Sequence, residues 1–126
     1  MILDTNALSA FAEGNHNVRE IIASAPGPCL PVIVIGEYHF GLLESREREP
    51  RLRWLAELAR HWFVLDVSTA TAAAYAEIRG QLKQCATPIP SNDVWIAALA
   101  VQHQLPILSS DTHFDRIADI ERVNWA

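Results

Sequence analysis

Glycine, cysteine and lysine are all scarce in this chain. Only five glycines are present, and neither a G-x-x-x-x-G-K-[ST] nor a G-x-G-x-x-G pattern occurs, so a glycine-built phosphate cradle is excluded. The two cysteines, Cys29 and Cys85, lack the paired spacing of a zinc site and read as reduced core thiols. The five histidines (His16, His39, His61, His103, His113) show no H-x-x-x-H spacing, and each reads as a surface or helix-end residue. A G-x-S-x-G nucleophile elbow is also missing. The longest near-apolar run, VWIAALAV at Val94–Val101, is too short to span a bilayer, and Met1 leads into an acid at position four without a basic leader. No membrane association and a cytoplasmic location are therefore expected. Without repeats, low-complexity tracts or linkers, the 126 residues are expected to form a single domain, 1–126.

Half of the residues are hydrophobic and 20% are charged, which suits a packed core and excludes a disordered chain. The net charge is −5, a poor match for nonspecific nucleic-acid binding, which depends on cationic neutralisation of phosphates. All basic residues but Lys83 are arginine, and Arg46, Arg48, Arg51, Arg53 and Arg60 fall in the stretch ESREREPRLRWLAELAR. Glu47, Glu49 and Glu57 interleave with them, so a salt-bridged, solvated helix surface is favoured over a phosphate track.

Punctuation divides the chain into short alternating elements. Met1–Leu3, Cys29–Ile33, Phe63–Val67 and Leu105–Leu108 read as strands, with a fifth at Arg122–Trp125. Helical spacing covers Ala7–Ala12, Val18–Ala25, Val34–Ser45, Pro50–His61, a segment capped by Ser68 or Thr69 that carries Tyr75, Ile78, Leu82 and Cys85, and the nearly all-apolar stretch from Asp93 to His103. A short helical turn is expected near Phe114. Such alternation predicts an α/β fold around a mainly parallel sheet, in which ligands sit beyond the carboxyl ends of the strands.

Four acids fall at telling places in that scheme. Asp4 ends the first strand and Asp111 follows the fourth, while Asp93 opens a buried helix where the helix dipole favours an anion. Glu37 sits among Ile33, Val34, Ile35, Tyr38, Phe40, Leu42 and Leu43, with Gly41 one turn on to leave room beside it. Each also has a plain structural reading: Asp4, Asp93 and Asp111 as helix caps or first-turn carboxylates, with Ser91 or Asn92 helping Asp93, and Glu37 on an exposed helix stripe. Taken together they point elsewhere. Carboxylates converging in a partly apolar pocket either take up protons or hold cations, and an all-oxygen donor set suits Mg²⁺ or Mn²⁺ rather than zinc or copper. Asp115, four residues after Asp111, is a fifth and weaker candidate; Asp66 and Asp119 read as surface. Trp54 and Trp95 read as core packing rather than base-stacking platforms.

The segments ILDTNALSA, PVIVIGEYHFG, NDVWIAALA and ILSSDTHFDRI resemble, in order and from end to end, the four signature blocks of PIN domains, and more narrowly those of the VapC-type toxins of toxin–antitoxin pairs. The resemblance implies a PIN-like three-layer α/β/α sandwich with a mainly parallel central sheet of four to five strands. It implies metal-dependent cleavage of RNA through an acidic quartet that falls on Asp4, Glu37, Asp93 and Asp111, with Mg²⁺, or Mn²⁺, as cofactor and Asp115 as an auxiliary ligand. Thr5 and Asn6 match the polar residues that follow the first acid, and Ser109 matches a hydroxyl that orders the pocket. A homodimer and a small cognate antitoxin are the implied partners. The rival readings are a PIN-fold module that binds RNA or antitoxin with a weak metal site, and a phosphotransfer domain, disfavoured because the only lysine, Lys83, lies within a helical segment. The site chemistry alone permits DNA as well as RNA.

Overall fold

The computed structural model describes every residue from Met1 to Ala126, and its backbone alternates short strands with helices. Strand β1 (Ile2–Leu3) leads into α1 (Thr5–Ala12) and α2 (His16–Ser24), and β2 (Cys29–Pro31) into α3 (Val32–Gly41) and α4 (Arg48–His61). Strand β3 (Phe63–Leu65) is followed by α5 (Thr69–Gln84) and α6 (Ser91–His103). Strand β4 (Ile107–Leu108) runs into a 3-10 turn (Thr112–Arg116) and then β5 (Arg122–Val123). The five strands form one sheet in the order β3-β2-β1-β4-β5, with every pairing parallel. This is the expected α/β architecture with its five-strand alternative realised.

Strand β1 is central: Ile2 pairs with Cys29 on one side and with Ile107 on the other. The direction of chain progression along the sheet reverses there, which makes the carboxyl ends of β1 and β4 the switch point where such sheets bind ligands. Strands covered on both faces read as continuous apolar runs rather than alternating ones. Accordingly Ile2, Leu3, Leu30, Ile107 and Leu108 have no solvent exposure. Helix α6 lays Ile96, Ala97, Ala98, Leu99 and Ala100 into the same core, which explains why its sequence is apolar all round.

Several boundaries differ from the sequence reading. The β-branched run Val32-Ile33-Val34-Ile35 belongs wholly to α3 rather than partly to a strand: Pro31 closes β2 in an extended conformation, and burial of Val34 and Tyr38 outweighs the intrinsic preference of the run. Pro50 lies inside the first turn of α4 instead of starting it, at a position where a missing N–H costs no helical bond. The strands are also shorter than expected at Leu65, Ile107 and Val123. Cys85 is exposed at the C-terminus of α5, so of the two thiols only Cys29 is a core residue. The arginine-rich helix is salt-laced as expected, through Arg51–Glu47 and Arg60–Glu57 pairs. No helix is long and apolar enough to cross a membrane.

Candidate functional site

Helix α1 follows β1 and starts at its carboxyl edge, and α6, which runs back to feed β4, starts at the same edge. The ends of β1 and β4 and the first turns of α1 and α6 thus come together, although the residues involved span positions 4 to 111. Asp4 immediately follows β1, and only 4% of it is exposed. Its backbone is extended, the conformation of an N-terminal cap, and its Oδ1 accepts a hydrogen bond from the Thr5 amide at 2.8 Å. Its Oδ2 accepts from the Ser109 hydroxyl at 2.7 Å and from the Asn6 side-chain amide at 3.2 Å.

Ser109, fully buried, ties the two strand ends together. Its Oγ also accepts from the Asp111 amide at 2.9 Å and from Asn6 Nδ2 at 3.2 Å, while Asn6 Oδ1 accepts from the Ser110 amide at 3.2 Å. Glu37 comes in from α3 and accepts a hydrogen bond from Thr5 Oγ1 at 3.0 Å. Thr5, Asn6 and Ser109 thus all contact members of the acidic set.

Asp93 lies in the first turn of α6, whose N-cap is Pro90 with no side-chain cap bond; Ser91 and Asn92 are inside the helix and do not cap it as expected. The half-buried carboxylate of Asp93 accepts instead from His113 Nδ1 at 2.9 Å. Asp111 caps the 3-10 turn through a bond from the His113 amide at 2.9 Å, and its Oδ1 lies 3.1 Å from the same Nδ1. Asp93, Asp111 and His113 form a group able to hold a metal ion, with their ligand atoms within 4.8 Å of one another.

Burial pushes the Asp4 carboxyl above its ordinary range, and the charges of Asp93 and Glu37 push the same way against the bonds from Ser109 and Thr5. Asp93 is raised likewise, first by burial and then by the charges of Asp111 and Glu37, with the His113 bond opposing. The four acids therefore repel one another in a partly desolvated space. A divalent cation would relieve both the repulsion and the unmet desolvation, and the donors are hard oxygens suited to one. The residues fit the ion that the sequence implies.

Two expectations change here. The structure places Asp115 in an ion pair with Arg122. Its exposed carboxylate is gripped by Arg122 through bonds of 2.8 Å and 3.0 Å, and that pairing holds its carboxyl below the usual range. The i+4 spacing from Asp111 fails because the segment winds as a 3-10 turn with three residues per turn. His113 is the residue that sequence reading missed. Its scattered spacing reads as that of a surface histidine, and the available signal is Asp-x-His at the end of a strand.

Clefts open beside the acids. One runs from Thr5 and Glu37 past Tyr38 and Gly41 to Arg51, and a shallower one sets the exposed Phe40 and Asn92 beside Glu37.

The PIN domain family model matches residues 1–120. A Mycobacterium tuberculosis protein named Ribonuclease VapC4 is 33% identical over 92 residues, covering 71% of this chain and 71% of its own. Among solved structures, DNA-bound VapBC from Salmonella typhimurium superposes with a TM-score of 0.87 at 26% identity, covering 99% of this chain and 97% of that one. VapBC-5 from Mycobacterium tuberculosis, described as a member of the VapBC family of toxin–antitoxin systems, gives a TM-score of 0.75 at 26% identity and covers 98% and 96%.

Proposed function

The chain belongs to the PIN domain family, in its VapC branch, and from that premise we propose that it is a divalent-metal-dependent endoribonuclease acting as the toxin of a toxin–antitoxin pair. The observation that carries the reading is the set Asp4, Glu37, Asp93 and Asp111, with the Asp4 and Asp93 carboxyls both pushed up by burial and by the charges of neighbouring acids of the set. The name of the VapC4 relative supports RNA as substrate, and the toxin–antitoxin description of VapBC-5 supports a small protein antitoxin as partner. A homodimer belongs to the same reading.

Asp4 and Asp93 would be the principal ligands of Mg²⁺ or Mn²⁺, with Glu37 and Asp111 completing the set. When bound, such ions supply positive charge to the phosphoryl oxygens and acidify the attacking water. The protein's own part is orientation and proton movement. Ser109 and Asn6 hold the Asp4 carboxylate, and Thr5 holds Glu37 through one oxygen, leaving the other free to accept the proton of a water directed at phosphorus. Bond formation from the water oxygen to phosphorus is matched by departure of the ribose oxygen, which takes up a proton. The chain's net charge of −5 then presents no paradox on an anionic substrate, because the ions rather than the surface supply the local positive charge.

The test is cleavage of a labelled total-RNA pool by purified protein in Mg²⁺ or Mn²⁺ against EDTA, beside Asp93→Asn. Metal-dependent cleavage lost in the variant is the expected result. RNA left intact by the unsubstituted protein in every metal would overturn the proposal in favour of a binding module.

A further inference from the structure

We propose that His113 is a direct ligand of the ion held between Asp93 and Asp111, so that this end of the site has a mixed nitrogen–oxygen donor set and prefers Mn²⁺ to Mg²⁺; the inference rests on the metal-site reading above. Nothing in the acidic quartet calls for an imidazole. Yet His113 Nδ1 stands 2.9 Å from Asp93 Oδ2 and 3.1 Å from Asp111 Oδ1. Neighbouring ligands of an octahedral ion, each at about 2.1 Å from it, are separated by about 3 Å. Each oxygen therefore already has the spacing of a position adjacent to the ring nitrogen, and all three atoms lie within 4.8 Å of one another.

The ring is placed, not merely near. Its residue is anchored on one side by the fully buried Phe114 and on the other by the bond from its own amide to Asp111. The imidazole's one hydrogen bond is from Nδ1 to Asp93, with Asp111 Oδ1 3.1 Å from the same nitrogen, and about a third of the side chain is exposed. An ion at Nδ1 would take the place of the hydrogen bond that now joins the ring to Asp93. Asp93 and Asp111 come from the start of α6 and from the loop after β4, so the imidazole closes a set drawn from separate elements.

The chemical consequence is selectivity. Oxygen-only sites suit Mg²⁺ as well as Mn²⁺, whereas an imidazole raises affinity along the first transition row and does little for Mg²⁺. A site with one imidazole should therefore discriminate between the two ions even though its remaining donors do not.

The experiment uses the full-length, metal-stripped protein without RNA. Mn²⁺ is added, and pulsed electron-spin-echo modulation is recorded for the unsubstituted chain, for the chain labelled with ¹⁵N-histidine, and for His113→Gln. Calorimetry gives Mn²⁺ and Mg²⁺ affinities for the same samples. Expected are ¹⁴N modulation that shifts on ¹⁵N labelling and disappears in His113→Gln, with Mn²⁺ binding weakened roughly tenfold or more and Mg²⁺ binding changed far less. Labelling needs no substitution, so a poorly folded variant would not blunt the test. Mn²⁺ bound without nitrogen modulation, or held as tightly or more tightly by His113→Gln, would overturn the inference and make the ring a placeholder that the ion displaces. Mn²⁺ not bound at all would sink this inference and the metal reading together.

Discussion

Asp4 and Asp93 set the sign of the site's energetics. Both carboxyls are raised, chiefly by burial, so over the window above the unfolded value of about 3.9 the folded chain holds more protons than the unfolded one. Their contribution to stability is complete below that value and is lost as pH rises through the folded values. The ion-free protein should therefore unfold at lower urea concentration as pH climbs from about 4 towards neutrality, and Asp93→Asn should flatten that slope. Denaturation midpoints in EDTA across the range would check it, and a slope of opposite sign would refute it. Ser109 has the contrary effect. It gives Asp4 its shortest hydrogen bond, 2.7 Å, and accepts one from the Asp111 amide, both inside the protein. Ser109→Ala is expected to cost about 1.5–3 kcal/mol at neutral pH, the range for a hydrogen bond to a charged group, and to lower cleavage activity by loosening Asp4. A variant as stable as the parent would show that the serine does not hold the acid.

At the level of elements, α5 offers a clean separation of stability from function. Ser68 and Thr71 form a reciprocal capping box at its N-terminus, and both contact Gln102 near the end of α6. Gln102 lies about 14 Å along that helix from Asp93 at 1.5 Å per residue. Ser68→Ala should cost on the order of 1 kcal/mol in chemical denaturation and leave RNA cleavage per folded molecule unchanged. A loss of activity beyond the loss of folded protein would argue against that independence. The cap was legible in the sequence because Ser68 precedes a run with helical spacing, and so was α6, whose eight-residue apolar run Val94–Val101 follows the acid at its first turn. The start of α3 was not, because four consecutive β-branched residues after Pro31 satisfy a strand locally and only tertiary packing makes them helical. The placements of His113 and Asp115 were not legible for a related reason. Their positions depend on the turn after β4 winding with three residues per turn, a choice that two or three intervening residues do not announce. Asp4 and Asp111 were legible from strand-end placement, and Asp93 and Glu37 joined them through their apolar surroundings and the resemblance to PIN signature blocks, whereas the hydrogen bonds that Asn6 and Ser109 make across more than a hundred residues need the folded sheet.

For the molecule as a whole, ions that bind only the folded site should stabilise all of it. Mn²⁺ at about a hundred times its dissociation constant is expected to add about 2.7 kcal/mol, seen as a rise of several degrees in the melting temperature over EDTA. No such rise in Asp93→Asn would locate the effect; an equal rise there would place the ion elsewhere. The sheet order has a consequence of a different kind. Because Ile2 and Leu3 pair with Ile107 and Leu108, the strand that leaves the ribosome first is the one that waits longest for its neighbour. Until nearly the whole chain has been synthesised, Asp4 has neither Ser109 nor Asp111 beside it, and the segment available to pair with β1 is β2 alone. Contacts this distant in sequence form late, since closing the loop must precede any gain from it. Chains that stop short of Ile107 therefore lack both the β4 partner of β1 and the Ser109 hydroxyl that holds Asp4.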